Sequence, residues 1–403
     1  MKGGARKVNG GITRPAGFLA GAAHCGIKKK NKDLCLVYST VMAKAAGVFT
    51  TNKIKAAPVI VSRNNLKSGL AQAVIANSGN ANCMTGKEGM DDAKKIVQAA
   101  ASALSLKKNN VLTVSTGIIG KRLPVTKIFS GIKTIVPLLD SKSSGEAAAA
   151  IMTTDTVPKE TAVSLKIGSK VISIGAIAKG AGMIHPDMAT MLALITTDAD
   201  ITGAALKKAL RESAAETFNR ITVDGDMSTN DCVLILANGL AGNRTIKPSG
   251  EGYELFKKAL ASVCLDMAVK IIKDAEGATK FVKVNIKKAR NASDAKMAGY
   301  AIATSLLVKT AVYGEDPNWG RVAAALGRSG ANFKAGALDL YMGNKKVISK
   351  GAPVNVKRGA LKKIFAKKDI EISAVLNSGN SHVSVLTGDL SKKYIDINAH
   401  YAT

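Results

Sequence analysis

Apolar segments of strand length alternate with amphipathic segments of helix length along this chain, separated by glycine- and asparagine-bearing turn signals. Strand and helix patterns that take turns in this way confine the fold to the α/β class. Residues 59–61, 73–75 and 111–115 read as short apolar strands, the last ending in Thr116-Gly117, and residues 91–104 read as an amphipathic helix. Residues 161–177 read as a hairpin whose alternating arms flank Gly168-Ser169. Its second arm runs into the glycine-bearing loop Lys179-Gly180-Ala181-Gly182.

Beyond that loop, residues 191–195 and 232–236 read as buried strands, with a helix over 203–218 between them. Helical periodicity returns over 253–273, 297–310 and 321–326, and Val282, Val284 and Ile286 alternate with Lys283, Asn285 and Lys287 as in a half-exposed strand. The echo between Ala76-Asn77-Ser78-Gly79-Asn80 and Leu376-Asn377-Ser378-Gly379-Asn380 reads as two unrelated tight turns. No low-complexity linker divides the 403 residues, a length that suits one large domain or two intimately packed ones.

Aromatics make up only 4% of the chain, so aliphatic side chains and alanine must fill the interior. The net charge of +29 raises a nucleic-acid reading, but the lysines fall in short clusters over the whole length, with no basic tail and no interleaved aromatic platform. The charge is therefore read as a solvated surface, with attraction of acidic metabolites as a milder consequence. Five cysteines without a CxxC pair point to reduced thiols, and no His or Cys spacing suggests a metal site. The amino terminus lacks the apolar core of a signal peptide and no stretch approaches the length of a membrane span, so a cytoplasmic protein is expected.

The most informative segment is Lys179-Gly180-Ala181-Gly182-Met183-Ile184-His185-Pro186-Asp187-Met188-Ala189-Thr190-Met191-Leu192. It is a flexible loop, then a rigid proline, then a threonine at the mouth of an apolar strand. Gly180-Ala181-Gly182 lacks the rest of a dinucleotide fingerprint, Gly117 to Lys121 lacks phosphate-loop spacing, and His185, beside Pro186, is read as shaping the loop.

That segment resembles the self-cleavage site of the ornithine acetyltransferase (glutamate N-acetyltransferase) family, in which the chain breaks before the threonine of Ala-Thr-Met-Leu. Further blocks agree in the family's order. They include Ala46-Gly47-Val48-Phe49-Thr50-Thr51-Asn52-Lys53, Asn77-Ser78-Gly79-Asn80-Ala81-Asn82, Ser115-Thr116-Gly117 and Met152-Thr153-Thr154-Asp155-Thr156. Phe218-Asn219-Arg220-Ile221-Thr222-Val223-Asp224-Gly225-Asp226, Ser228-Thr229-Asn230-Asp231, Glu276-Gly277-Ala278-Thr279-Lys280, Gly314-Glu315-Asp316-Pro317-Asn318-Trp319-Gly320-Arg321 and the terminal Ile397 to Thr403 follow.

The resemblance implies a layered sandwich of sheets between helices, of the N-terminal-nucleophile-like type. It implies cleavage between Ala189 and Thr190 into an alpha chain, residues 1–189, and a beta chain, residues 190–403, with two of each in the assembly. Thr190 would be the nucleophile, Thr116 and Gly117 the oxyanion donors, and Thr153, Lys179, Thr190, Glu276, Asn398 and Thr403 the substrate contacts. The implied reaction moves acetyl from N2-acetylornithine to glutamate in arginine biosynthesis, by a ping-pong route with no metal or redox cofactor, and leaves open acetyl-CoA as a second donor. A free α-amine on Thr190, with an ordinary pKa of about 7.7 to 8.0, suits a general base near neutrality. Two alternatives stand beside this: an N-terminal-nucleophile aminopeptidase or amidase in which water accepts the acyl group, and a non-catalytic nucleic-acid-binding protein on the same scaffold.

Overall fold

The computed structural model describes residues 4–185 and 191–400. In chain order its strands are β1 (Arg6–Val8), β2 (Phe18–Ala23), β3 (Leu34–Phe49), β4 (Leu70–Asn80), β5 (Val111–Ile118), β6 (Lys159–Ile167), β7 (Lys170–Lys179) and β8 (Leu192–Thr197). They continue as β9 (Ile221–Thr222), β10 (Cys232–Ala237), β11 (Phe281–Ala289), β12 (Asp339–Met342), β13 (Lys345–Ser349), β14 (Ala352–Pro353), β15 (Asp369–Val375) and β16 (Ser381–Gly388). The described residues divide into two compact units, the first holding residues 4–180, 191–219 and 227–271, the second residues 181–185, 220–226 and 272–400.

In the first unit the sheet runs β1-β6-β7-β8-β10-β3-β4-β5, with β2 also paired to β3. The β6–β7 hairpin turns at Gly168-Ser169, where Gly168 takes φ +60°, and β7 then pairs antiparallel with β8. β3 is long enough to serve two sections. Its first part pairs with β2 and β4, its last residues pair with β10, and the register against β4 shifts between Tyr38 and Ala43.

The two sections face each other across one core. Val74, Ala76 and Val114 of β4 and β5 cluster with Leu192, Leu194 and Leu234 of β8 and β10. The other face of β4, through Ala73 and Ile75, meets Ile96, Val97 and Ala100 of the Gly86–Ala103 helix and Ile128 and Ile132 of the Val125–Ile135 helix. Burial on both faces explains why such strands read as continuous apolar runs. Each buried isoleucine there contributes roughly 1.5–3 kcal/mol, and alanines between them let the layers approach closely. The Gly203–Glu216 helix, capped by the Thr202 hydroxyl accepting from the Ala205 amide at 3.3 Å, packs against β3 and β10. The unit is thus an α/β arrangement, one nine-stranded sheet covered by helices.

In the second unit the sheet order is β14-β13-β12-β15-β11-β16-β9. Val282, Val284 and Ile286 of β11 share a core with Ala295, Ala298 and Ile302 of the Ala292–Ala303 helix and with Phe365 of the Arg358–Phe365 helix. All five cysteines are free thiols.

Three sequence expectations are corrected. Residues 59–61 lie in a helix, Ala57–Asn65, because Pro58 sits in its first turn and Ser62 inside it bonds the Thr113 backbone of β5. Residues 76–80 form the buried end of β4 rather than a turn, with the Asn77 side chain accepting from Ser115 Oγ at 2.5 Å. The helix expected over 297–310 is broken at Thr304. Ser305 caps a new helix, Leu306–Tyr313, its hydroxyl accepting from the Val308 amide at 3.4 Å.

Candidate active site

In the first unit β4 and β5 run parallel and their register slips at Gly79/Asn80, beside Gly117. Gly117 has φ +132°, and a Cβ there would lie 2.3 Å from the Gly79 carbonyl carbon and 2.4 Å from the Asn80 nitrogen. Only glycine fits such a close backbone approach. Next to it, the buried Thr116 hydroxyl accepts from the Lys179 ammonium at 3.3 Å. A hydroxyl whose oxygen is engaged by a cation has its own proton left to donate.

Lys179 ends β7 and is 4% exposed, a burial that requires a counter-charge. Asp155 supplies it. Its carboxylate lies 4.0 Å from Lys179 Nζ and 2.6 Å from Lys159 Nζ, and it accepts from the Gly180 amide at 2.7 Å and the Thr153 amide at 3.0 Å. Burial alone would raise the Asp155 pKa, but the charges of Lys179 and Lys159, with the bonds from Lys159 and Gly180, hold it down at about 2. One carboxylate thus fixes Lys179, the loop that follows it and the loop that carries Thr153. Lys28 adds a third cation nearby, its ammonium donating to the Met152 carbonyl at 3.2 Å.

A second carboxylate stands at the start of β8. Asp231 is buried, and its Oδ1 accepts from the Met191 amide at 3.0 Å. Desolvation pushes its pKa well above the usual carboxylate range, against the pull of the Met191 amide and the Lys179 charge. The loop that carries it is tied in on several sides. Asn230 donates to the Ala81 carbonyl at 2.6 Å and the Ser115 carbonyl at 2.8 Å, while the Thr50 amide donates to the Asp231 carbonyl at 3.0 Å. Five sequence blocks far apart in the chain therefore meet at one place. Ala189 and Thr190 lie outside the described residues, as does Thr403.

In the second unit Glu276 is buried and its carboxylate accepts from Asn398 Nδ2 at 2.8 Å. A Cβ on Gly182 would stand 2.3 Å from that carboxylate, so the glycine is what lets the loop pass beneath it. The Glu276 amide donates to the Ala181 carbonyl at 2.9 Å. Asn398 belongs to the Lys392–Ala399 helix, which docks through Ser391 Oγ donating to the Gly277 carbonyl at 2.6 Å and Tyr394 donating to Asp224 at 3.2 Å. Asp224 also accepts from the amides of Met183 at 2.6 Å and Ile184 at 3.0 Å, and burial raises its pKa. His185 does shape this loop: its Nδ1 is 3.2 Å from Thr222 Oγ1 and its ring leans on Tyr300.

Of the residues expected from sequence, Thr116, Gly117, Lys179 and Thr153 come together in the first unit and Glu276 with Asn398 in the second. The carboxylates Asp155, Asp224 and Asp231 received no role from sequence, although each lies inside a quoted block. Their signal was a charged residue within otherwise small or apolar runs.

A polarised hydroxyl beside a glycine amide, backed by a buried lysine, is equipment for stabilising a developing oxyanion. Fold and site together define an α/β enzyme suited to acyl transfer. The chain belongs to the ArgJ family, whose model matches residues 19–403. The arginine biosynthesis bifunctional protein ArgJ of Symbiobacterium thermophilum is 48% identical over 397 residues, covering 98% of this chain and 99% of that one. That of Dehalococcoides mccartyi is 46% identical over 398 residues, covering 98% of each. Among solved structures, ornithine acetyltransferase complexed with ornithine from Mycobacterium tuberculosis is 39% identical and covers 45% of this chain and 98% of that one, with a TM-score of 0.42.

Proposed function

We infer that this chain is an acyltransferase of arginine biosynthesis that moves acetyl from N2-acetyl-L-ornithine to L-glutamate, with acetyl-CoA as a further donor. Family membership across residues 19–403 is the observation that carries this reading. The chemistry begins on the chain itself. The Thr190 hydroxyl attacks the Ala189 carbonyl, the peptide bond becomes an ester, and water hydrolyses it to leave residues 1–189 and a second chain that begins with a free threonine amine. That amine then takes the hydroxyl proton as Thr190 attacks the acetyl carbonyl of N-acetylornithine. The C–N bond breaks, the proton passes to the departing ornithine amine, and acetyl remains as an ester on Thr190. Glutamate's amine attacks the ester and restores the hydroxyl.

The Thr116 hydroxyl and Gly117 amide receive the oxyanion of each tetrahedral intermediate, a role supported by the 3.3 Å contact from Lys179 that leaves the hydroxyl proton free to donate. Thr153, Lys179, Glu276, Asn398 and Thr403 bind substrate, Lys179 meeting a carboxylate and Glu276 an ammonium group. Self-cleavage does not free the two products from each other. β8 and β10, from the second chain, would stay hydrogen-bonded to β7 and β3 from the first, and two such pairs form the assembly.

Product analysis tests the reading. Purified protein given N-acetylornithine and glutamate yields ornithine and N-acetylglutamate in equal amounts; free acetate without acetylglutamate would instead indicate an amidase.

A further inference from the structure

The Ala57–Asn65 helix and the Gly203–Glu216 helix flank a groove of about 990 Å³ over the last residues of β3, in the first unit. Five of its lining residues are cations, Lys55, Arg63, Lys67, Lys207 and Arg211, and none is a carboxylate. Lys207 and Arg211 are four apart and so share one face of their helix, and Arg63 and Lys67 stand on the opposite wall. None of these last four forms an ion pair with any described residue, although the neighbouring Lys257 pairs with Glu254 at 2.7 Å and Lys44 with Asp200 at 2.9 Å.

The amino-acid substrates do not explain this groove. Glutamate and N-acetylornithine are small and carry little net charge, too little to engage cations spread along both walls of a groove of about 990 Å³. A bulky polyanion matches both the volume and the charge.

The floor also leads toward the reaction centre. Phe49, at the end of β3, lies opposite Cys232, and Cys232 lies opposite Leu192. Two inter-strand steps, about 10 Å, therefore separate the groove from the strand that follows Thr190. Thr50, also on the lining, donates its amide to Asp231, whose carboxylate holds the Met191 amide.

We propose that this groove binds the phosphate groups of a phosphorylated acyl-thioester carrier, the second acetyl donor, at a site separate from the amino-acid contacts. This rests on the acyltransferase reading above. Thr190 Oγ attacks the thioester carbonyl, the C–S bond breaks, the hydroxyl proton ends on the sulfur as a free thiol, and the same acetyl ester forms. Glutamate then takes the acetyl group as before.

The test compares wild-type protein with Arg63→Glu/Arg211→Glu, both exposed positions, in two assays of glutamate acetylation, one from acetyl-CoA and one from N-acetylornithine. The variant should raise KM for acetyl-CoA by about tenfold or more with kcat kept, and leave the N-acetylornithine reaction unchanged. Calorimetric titration of CoA should show binding to the wild type that weakens with salt and with removal of the ribose phosphate. Unchanged acetyl-CoA kinetics in the variant, or no CoA binding to the wild type, overturns the proposal. So does loss of single-stranded RNA binding in the variant with acetyl-CoA kinetics intact, since the groove would then serve nucleic acid. Absence of both acetylations in the wild type, with CoA still bound in the groove, would instead remove the acyltransferase reading.

Discussion

Replacing Asp155 by Asn isolates the electrostatic role of one carboxylate, because the amide has the shape of the protonated acid. The Lys159 and Lys179 side chains are 1% and 5% exposed, and the exchange removes the charge that both face. A carboxyl held at about 2, down from 3.8, contributes on the order of 2–3 kcal/mol at neutral pH. Because both buried cations lose this carboxylate, the cost can rise to about 3–5 kcal/mol. In a unit of this size the smaller figure lowers Tm by roughly 5–10 °C. The pH dependence follows from the sign of the shift. A carboxyl depressed in the folded state stabilises fully above its unfolded pKa, and that contribution fades as pH falls from about 4 towards 2, to about half at pH 3. Thermal and urea melts of wild type and Asp155→Asn at pH 7 and pH 3 should therefore show a gap that narrows in acid. A gap below about 1 kcal/mol at pH 7, or one unchanged at pH 3, would refute the assignment of this energy to the Asp155 charge.

Other outcomes follow from the same geometry. Thr116→Val keeps the volume of the side chain but removes an oxyanion donor, so kcat should fall by about 10²–10³ with little change in Tm, measured by steady-state kinetics. Gly182→Ala places a Cβ against the Glu276 carboxylate, and KM for the amino-acid substrates should rise while self-cleavage, followed by gel electrophoresis, persists. The cleaved chains should co-elute on size exclusion and separate only in denaturant, because β8 sits between β7 and β10 in one sheet.

Much of the fold is legible in the sequence where burial is two-sided or strictly alternating, as in β5, β8, β10 and the β6–β7 hairpin. It fails where local chemistry imitates another element. Val59, Ile60 and Val61 are strand-like residues, yet Pro58 and the covering of β5 make them helical. The break after Ala303 was carried by the Ser305 cap, a signal that apolar periodicity overrides. For the site, the hydroxyl, glycine and lysine residues were found because they stand in recognisable blocks. The carboxylates that position them were not. A buried Asp looks like any solvated one in sequence, and only the tertiary structure shows Asp155 between two lysines or Asp231 beneath the Met191 amide.

The central claim is that Thr190 first cuts the chain and then carries acetyl. Intact mass measurement after brief incubation with N-acetylornithine, without glutamate, tests it directly. The wild type should give fragments of 189 and 214 residues, 403 minus 189 being 214, with an acetyl adduct on the peptide that begins at Thr190, while Thr190→Ala stays whole and unmodified. An uncut wild-type chain that is nevertheless active, or an adduct on any other residue, would contradict the account.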